Sequence, residues 1–214
     1  MHSTLRRTSC AGPAGQLQCV IDEPPHPARG VAVLCHPHPQ HGGTMDNKVI
    51  QTLARAFVQL DYRAVRFNFR GVGESQGAWD HGIGEVDDAV AVVQAWRDPA
   101  LPLALGGFSF GGYVASQVCA RLVDTAPIER LVLVGPATST FDVARVPADT
   151  LVIHGEADDV VPLQATLDWA RPQALPVVVL PGVGHFFHGQ LPRLRALVAL
   201  AWAKRDNGPA AHAA

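Results

Sequence analysis

The chain has 214 residues, 48% hydrophobic and 17% charged, with a formal net charge of −2. That length suits one α/β domain with a full core, and the composition excludes long disorder. Basic residues are scattered, which excludes a nucleic-acid footprint, and no apolar run approaches the roughly 18 residues of a membrane span.

Leu5 to Cys10 and Leu17 to Asp22 flank the turn Gly12-Pro13-Ala14-Gly15 and predict an antiparallel hairpin. Val31 to Cys35 is a continuous apolar run, the pattern of a strand covered on both faces. Asp46 or Asn47 can cap a helix with Val49, Leu53, Ala56, Phe57 and Leu60 on one face. Ala64 to Phe69 reads as the next strand. A helix over about Glu85 to Trp96 then carries Glu85, Asp87 and Asp88 in its first turn, where the dipole favours acids.

Pro102 to Phe108 is a further strand, followed by a helix to about Val123. Leu131 to Val134, Leu151 to Ile153 and Val177 to Leu180 complete the strands, with a short helix around Ala165 to Ala170. A last amphipathic helix carries Leu194, Leu197, Val198, Ala201 and Trp202. Strands and helices alternating in this way specify a parallel sheet with helices on both faces. One domain is expected over residues 1–205, with a flexible tail over 206–214 rich in Ala, Gly and Pro.

The strand into Gly107-Phe108-Ser109-Phe110-Gly111 makes a G-x-S-x-G turn between strand and helix. A turn tight enough to expose a serine hydroxyl tolerates almost no side chain two residues to either side, and glycine at 107 and 111 meets that need. The helix that starts there aims free N–H groups at charge developing beside Ser109, which makes the Phe110 N–H an oxyanion donor. The plainer alternative is a Gly-rich turn whose serine only caps the helix.

A serine hydroxyl needs an imidazole beside it and a carboxylate behind that, and open parallel sheets gather such groups past the carboxyl ends of their strands. His154-Gly155-Glu156-Ala157-Asp158-Asp159 follows one late strand, and Pro181-Gly182-Val183-Gly184-His185-Phe186-Phe187-His188 follows another.

Gly107-x-Ser109-x-Gly111, Gly155-x-x-Asp158-x-x-Val161-Pro162 and Gly184-His185, in that order, resemble the α/β-hydrolases. His36-Pro37-His38-Pro39, Gly42-Gly43-Thr44-Met45-x-Asn47 and Phe67-Asn68-Phe69-Arg70-Gly71-x-Gly73-x-Ser75-x-Gly77 resemble a small bacterial branch related to dienelactone hydrolases. The resemblance covers about residues 5 to 203. It implies an α/β-hydrolase fold, a mostly parallel twisted sheet of about seven or eight strands with an N-terminal antiparallel hairpin.

It also implies Ser109 as nucleophile, His185 as general base and then acid, and Asp158 as its orienting partner. Asp159 rivals Asp158, Glu156 is a remote third, and His188 rivals His185. The second oxyanion donor is expected in the loop after the Val31 strand, where Pro37 and Pro39 lack N–H groups and the His38 N–H remains.

His36-x-His38-x-x-His41 also has a metal-like spacing, but a rigid turn explains it more simply, and serine chemistry requires neither metal nor cofactor. Met45, Trp79 and Phe186 stand as candidate lining of an acyl pocket, with packing as the alternative for the aromatics, Phe187 included. Arg70 and Glu74 either touch substrate or, more simply, pin their Gly-rich loop.

Between Val134 and Leu151 too few residues remain for a helical cap, so no lid is expected. Four cysteines, at 10, 19, 35 and 119, lie in no C-x-x-C or zinc spacing, and no apolar block of signal-peptide length follows Arg6 and Arg7. A reduced, cytoplasmic protein follows. The leading reading is a carboxylesterase-like serine hydrolase cleaving carboxylic esters through an acyl-enzyme on Ser109, its partner a small-molecule acyl ester or thioester. A thioesterase or peptidase with the same triad, an acyltransferase and a binding protein that keeps the fold without turnover are the alternatives.

Overall fold

The described residues form eight strands and five α-helices: β1 (Thr4–Gly12), β2 (Gly15–Glu23), β3 (Gly30–Cys35), α1 (Lys48–Gln59), β4 (Tyr62–Phe67), α2 (Ile83–Trp96), β5 (Leu103–Phe108), α3 (Phe110–Leu122), β6 (Arg130–Val134), β7 (Leu151–Gly155), α4 (Leu163–Ala170), β8 (Val177–Leu180) and α5 (Leu191–Asp206). The computed structural model describes residues 4–206, so all but the first residue of the expected tail lies outside it. The strands form one eight-stranded sheet in the order β1-β2-β4-β3-β5-β6-β7-β8. β1–β2 and β2–β4 pair antiparallel, and every later pair is parallel. This is the α/β-hydrolase fold without a lid: residues 135–150, between β6 and β7, hold neither helix nor strand.

The continuous apolar runs are apolar because both sheet faces are covered. Along β3, Val31, Val33 and Cys35 join the core beneath α2 and α3, while Ala32 and Leu34 join the core beneath α1 and α5. Each such Val or Leu side chain contributes about 1.5–3 kcal/mol on burial. Among the described residues no helix is long and apolar enough to cross a membrane.

Three local departures from the sequence expectation have identifiable causes. β4 ends short of Phe69 because, after Asn68 N–H makes a last bond in register with β2, to Gln18 O at 2.9 Å, Phe69 N–H turns away to His36 Nε2 at 3.1 Å. α2 starts at Ile83, where the Glu85 carboxylate accepts from Gly82 N–H at 2.8 Å and Asp80 N–H at 2.9 Å. Glu85 is therefore the first-turn acid, whereas Asp87 pairs with Arg121 and the buried Asp88 holds Arg70 through two contacts of 2.8 and 3.0 Å. At α1 the expectation holds: of the two candidate caps it is Asn47, whose Oδ1 accepts from Val49 N–H at 2.9 Å.

Candidate active site

β5 is buried along its whole length and breaks into α3 at Ser109, which has φ 56° and ψ −119°. A non-glycine residue in this region stores strain, and the surroundings enforce it. A Cβ on Gly111 would lie 2.0 Å from Cys35 O, so the elbow sits directly on the end of β3. Ser109 N–H donates to Val134 O at 3.0 Å, and its carbonyl accepts from Gly112 N–H at 2.9 Å and Ala137 N–H at 3.2 Å. The hydroxyl is the part left over, held at the carboxyl end of the central strands.

The loops after β7 and β8 bring the other two groups to it. Asp158 Oδ1 accepts from Val160 N–H at 3.0 Å and Val161 N–H at 2.7 Å, which turns Oδ2 toward His185. His185 Nδ1–H donates to Oδ2 at 2.7 Å, and Nε2 lies 3.1 Å from Ser109 Oγ. Burial works against ionising Asp158. The His185 hydrogen bond and the two backbone donors outweigh it and hold the carboxyl below its ordinary value. Asp159 and His188 are exposed and stand outside this chain of contacts. Glu156 accepts instead from Gly182 N–H at 2.8 Å, clasping the two loops together.

The loop after β3 faces Ser109 from the opposite side. Neither the His38 nor the Phe110 N–H donates to another group among the described residues. His36 is fully buried with both ring nitrogens committed to the backbone: Nδ1–H donates to Pro37 O at 2.6 Å, and Nε2 accepts from Phe69 N–H. His38 Nδ1 accepts from Gln40 N–H at 3.2 Å. Rings 36 and 38 thus shape a turn, and no cluster of three His, Cys, Asp or Glu among the described residues could hold a metal ion.

The sequence model of the family described as serine aminopeptidase, S33 (Hydrolase_4) matches residues 26–144, more than half of the chain. A Xanthomonas campestris protein solved as an α/β serine hydrolase without lid superposes with a TM-score of 0.87 at 38% identity, covering 99% of this chain and 98% of that one. The chain belongs to the α/β serine hydrolases. A Coxiella burnetii α-β serine hydrolase homologue follows at 37% identity and a TM-score of 0.79, over 95% of this chain and 97% of that one. An uncharacterised Rickettsia prowazekii protein is 30% identical over 82% of this chain and 79% of its own.

In this hydrolase a cleft of about 160 Å³ opens at Ser109 between the His38–Gly43 loop and the pair Val160 and Phe186. Of the expected pocket residues, Phe186 lines it, with 47% of its surface exposed. Met45 and Trp79 do not. Met45 is buried under the loop, its N–H donating to Asn68 Oδ1 at 2.8 Å and its carbonyl accepting from Arg66 at 2.9 Å. Trp79 packs on the His38 ring at 4.6 Å and on Phe110 at 5.2 Å. Phe187 is fully buried in the core beneath α1 and α5. Arg70 pins its loop to α2 through Asp88, and Glu74 is exposed, its N–H donating to Gln18 Oε1 at 3.1 Å.

Sequence reasoning gave His154 no role of its own and Asn47 no place in the site beyond a helix cap. Asn47 lines the cleft as well as capping α1. His154 is fully buried on β7, its Nε2 lying 2.9 Å from Val161 O and 3.4 Å from Asp158 Oδ2. Burial lowers its proton affinity; Val161 O and Asp158 oppose the shift and His185 adds to it. The ring is therefore neutral with its proton on Nε2, and the buried Nδ1 has no partner among the described residues. The available signal was a histidine inside an apolar strand run, four residues before Asp158.

Proposed function

We propose that the protein hydrolyses carboxylic esters through an acyl-enzyme on Ser109. The observation that carries this reading is the unbroken line from Asp158 through His185 to a serine hydroxyl on a strained turn, with steps of 2.7 and 3.1 Å. His185 Nε2 takes the hydroxyl proton as Oγ bonds to the ester carbon. The carbonyl oxygen gains the electron pair and is stabilised by the Phe110 and His38 N–H groups. Collapse breaks the bond to the alcohol, which leaves with the proton from His185. Water repeats the cycle: its proton goes to His185, its oxygen to the acyl carbon, and the proton then returns to Ser109 as the acid departs. Asp158 holds the ring through Nδ1–H and stabilises the transient imidazolium.

The family's description raises an aminopeptidase reading. An α-ammonium group needs a carboxylate partner in the acyl site, and the residues lining the cleft include neither Asp nor Glu. Ester hydrolysis is the better fit. The test is labelling with a fluorophosphonate, followed by p-nitrophenyl ester turnover. Wild type should label, and Ser109→Ala should lose both labelling and at least about 10³-fold in kcat. A folded wild type that neither labels nor turns over esters refutes the reading in favour of a binding protein.

A further inference from the structure

Beyond the Ser109 cleft, on the far side of the ridge formed by Val160 and Phe186, lies an open bowl of about 690 Å³. The two cavities share Val160, His185 and Phe186, and the cleft is far smaller, at about 160 Å³. The proposed chemistry orients a substrate across them. With the carbonyl oxygen at the Phe110 and His38 N–H groups, the departing oxygen must face His185 Nε2 to receive its proton, so the alcohol projects past His185 and over Phe186. The acyl group stays in the cleft.

The bowl's chemistry restricts what that alcohol is. Phe186 presents a ring with 47% of its surface exposed, and Val160 beside it is 52% exposed. Asp159, His188 and Gln190 supply hydrogen-bonding side chains beside these apolar groups. No lysine or arginine lines the bowl, and Glu156 adds a second carboxylate where it holds the lining residue Gly182. A phosphorylated thiol carrier entering here would meet carboxylates with no lysine or arginine to pair it. A hydroxyl-rich ring offers C–H faces to Phe186 and donors to Asp159 and Gln190.

Resting on the ester-hydrolase reading above, we infer that the bowl is the leaving-group site and takes a neutral, hydroxyl-rich alcohol, with a short acyl group in the cleft. The substrate class is a short-chain acyl ester of a saccharide or similar polyol, and not an acyl thioester of a polyphosphorylated carrier.

The experiment compares kcat/KM for an acetylated pentose disaccharide, ethyl acetate and acetyl-coenzyme A, in wild type and in Asp159→Lys, with fluorophosphonate labelling of Ser109 run beside each. The wild type should prefer the saccharide ester over ethyl acetate by at least ten-fold and use acetyl-coenzyme A least. Asp159→Lys should move the saccharide-to-thioester ratio at least ten-fold toward the thioester. Labelled enzyme that is indifferent to the alcohol, or whose ratio Asp159→Lys leaves in place, overturns this proposal alone. Wild type that does not label at Ser109 overturns the ester-hydrolase reading and this proposal with it. Folding of the variant is checked by its labelling rate. Should Asp159→Lys fail to label, Asp159→Asn takes its place, with a smaller shift in the same direction expected.

Discussion

The chemistry proposed at Ser109 depends on how rigidly neighbouring groups are aimed, and His154 bears on that without touching the hydroxyl. Its Nε2–H reaches the Val161 carbonyl at 2.9 Å and Asp158 Oδ2 at 3.4 Å, while Val161 N–H itself holds Asp158 Oδ1 at 2.7 Å. The ring thus fastens the short turn that sets the carboxylate's angle. Misplacing a reacting group by an ångström costs on the order of 10²-fold in rate, so loosening this turn should be visible. His154→Phe fills the same space without the donor and is expected to lower kcat by on the order of 10-fold with KM unchanged, the labelling rate falling in step. His154→Gln, which restores an N–H donor, should recover part of the loss. If kcat for His154→Phe matches wild type, His154 is only a packing residue.

Among the elements, the loop after β4 shows how the carboxyl end of the sheet is tied to a helix. Arg70 is buried with Asp88 as its bidentate partner, and Arg70 N–H also donates to Asp88 at 3.0 Å. Removing Asp88 leaves the buried guanidinium with only the half-exposed Asp80 at 3.6 Å, so Asp88→Ala should cost about 3 kcal/mol, the lower end for a broken buried pair, read as a lower urea midpoint. A loss within about 0.5 kcal/mol, the size of an ordinary surface substitution, would contradict the role assigned to the pair. This pair also marks the limit of what the sequence made legible. The strands were readable because burial on both faces leaves continuous apolar runs, and the Ser109 elbow because its crowding demands glycine. The fate of Asp88 was not: three acids near a helix start look alike until the helix's phase shows which one faces the sheet. Met45 failed for a related reason. Its neighbours in sequence border the cleft, but Asn68 and Arg66, more than 20 positions away, pull its backbone down into the core. Asp158 differs from Asp159 only in how the turn points it, a choice made by the Val160 and Val161 N–H groups.

For the molecule as a whole, the buried histidines decide how stability follows pH. His36 sits where β3, β4 and the Ser109-facing loop meet, and burial pushes its ring down to about 4, against about 6.5 in the unfolded chain. Between those values the unfolded state binds a proton that the folded state refuses, so stability is complete above about pH 6.5 and falls as pH drops toward 4. The linkage from this one residue is on the order of 3 kcal/mol. His154 acts in the same direction, its ring also lowered by burial. Asp158, held below its ordinary value, adds its loss only at still lower pH, as the folded carboxylate takes up a proton. Urea unfolding of wild type at pH 7.0, 6.0, 5.0 and 4.5 should therefore show a steadily falling midpoint. His36→Gln removes the titrating ring while keeping an acceptor for Phe69 N–H. It should start lower at pH 7 and decline less steeply, because one of the three lowered imidazoles, His36, His38 and His154, is gone. Parallel declines in the two proteins would mean that His36 does not contribute to the acid response, and that its ring takes up a proton in the folded state as readily as in the unfolded chain.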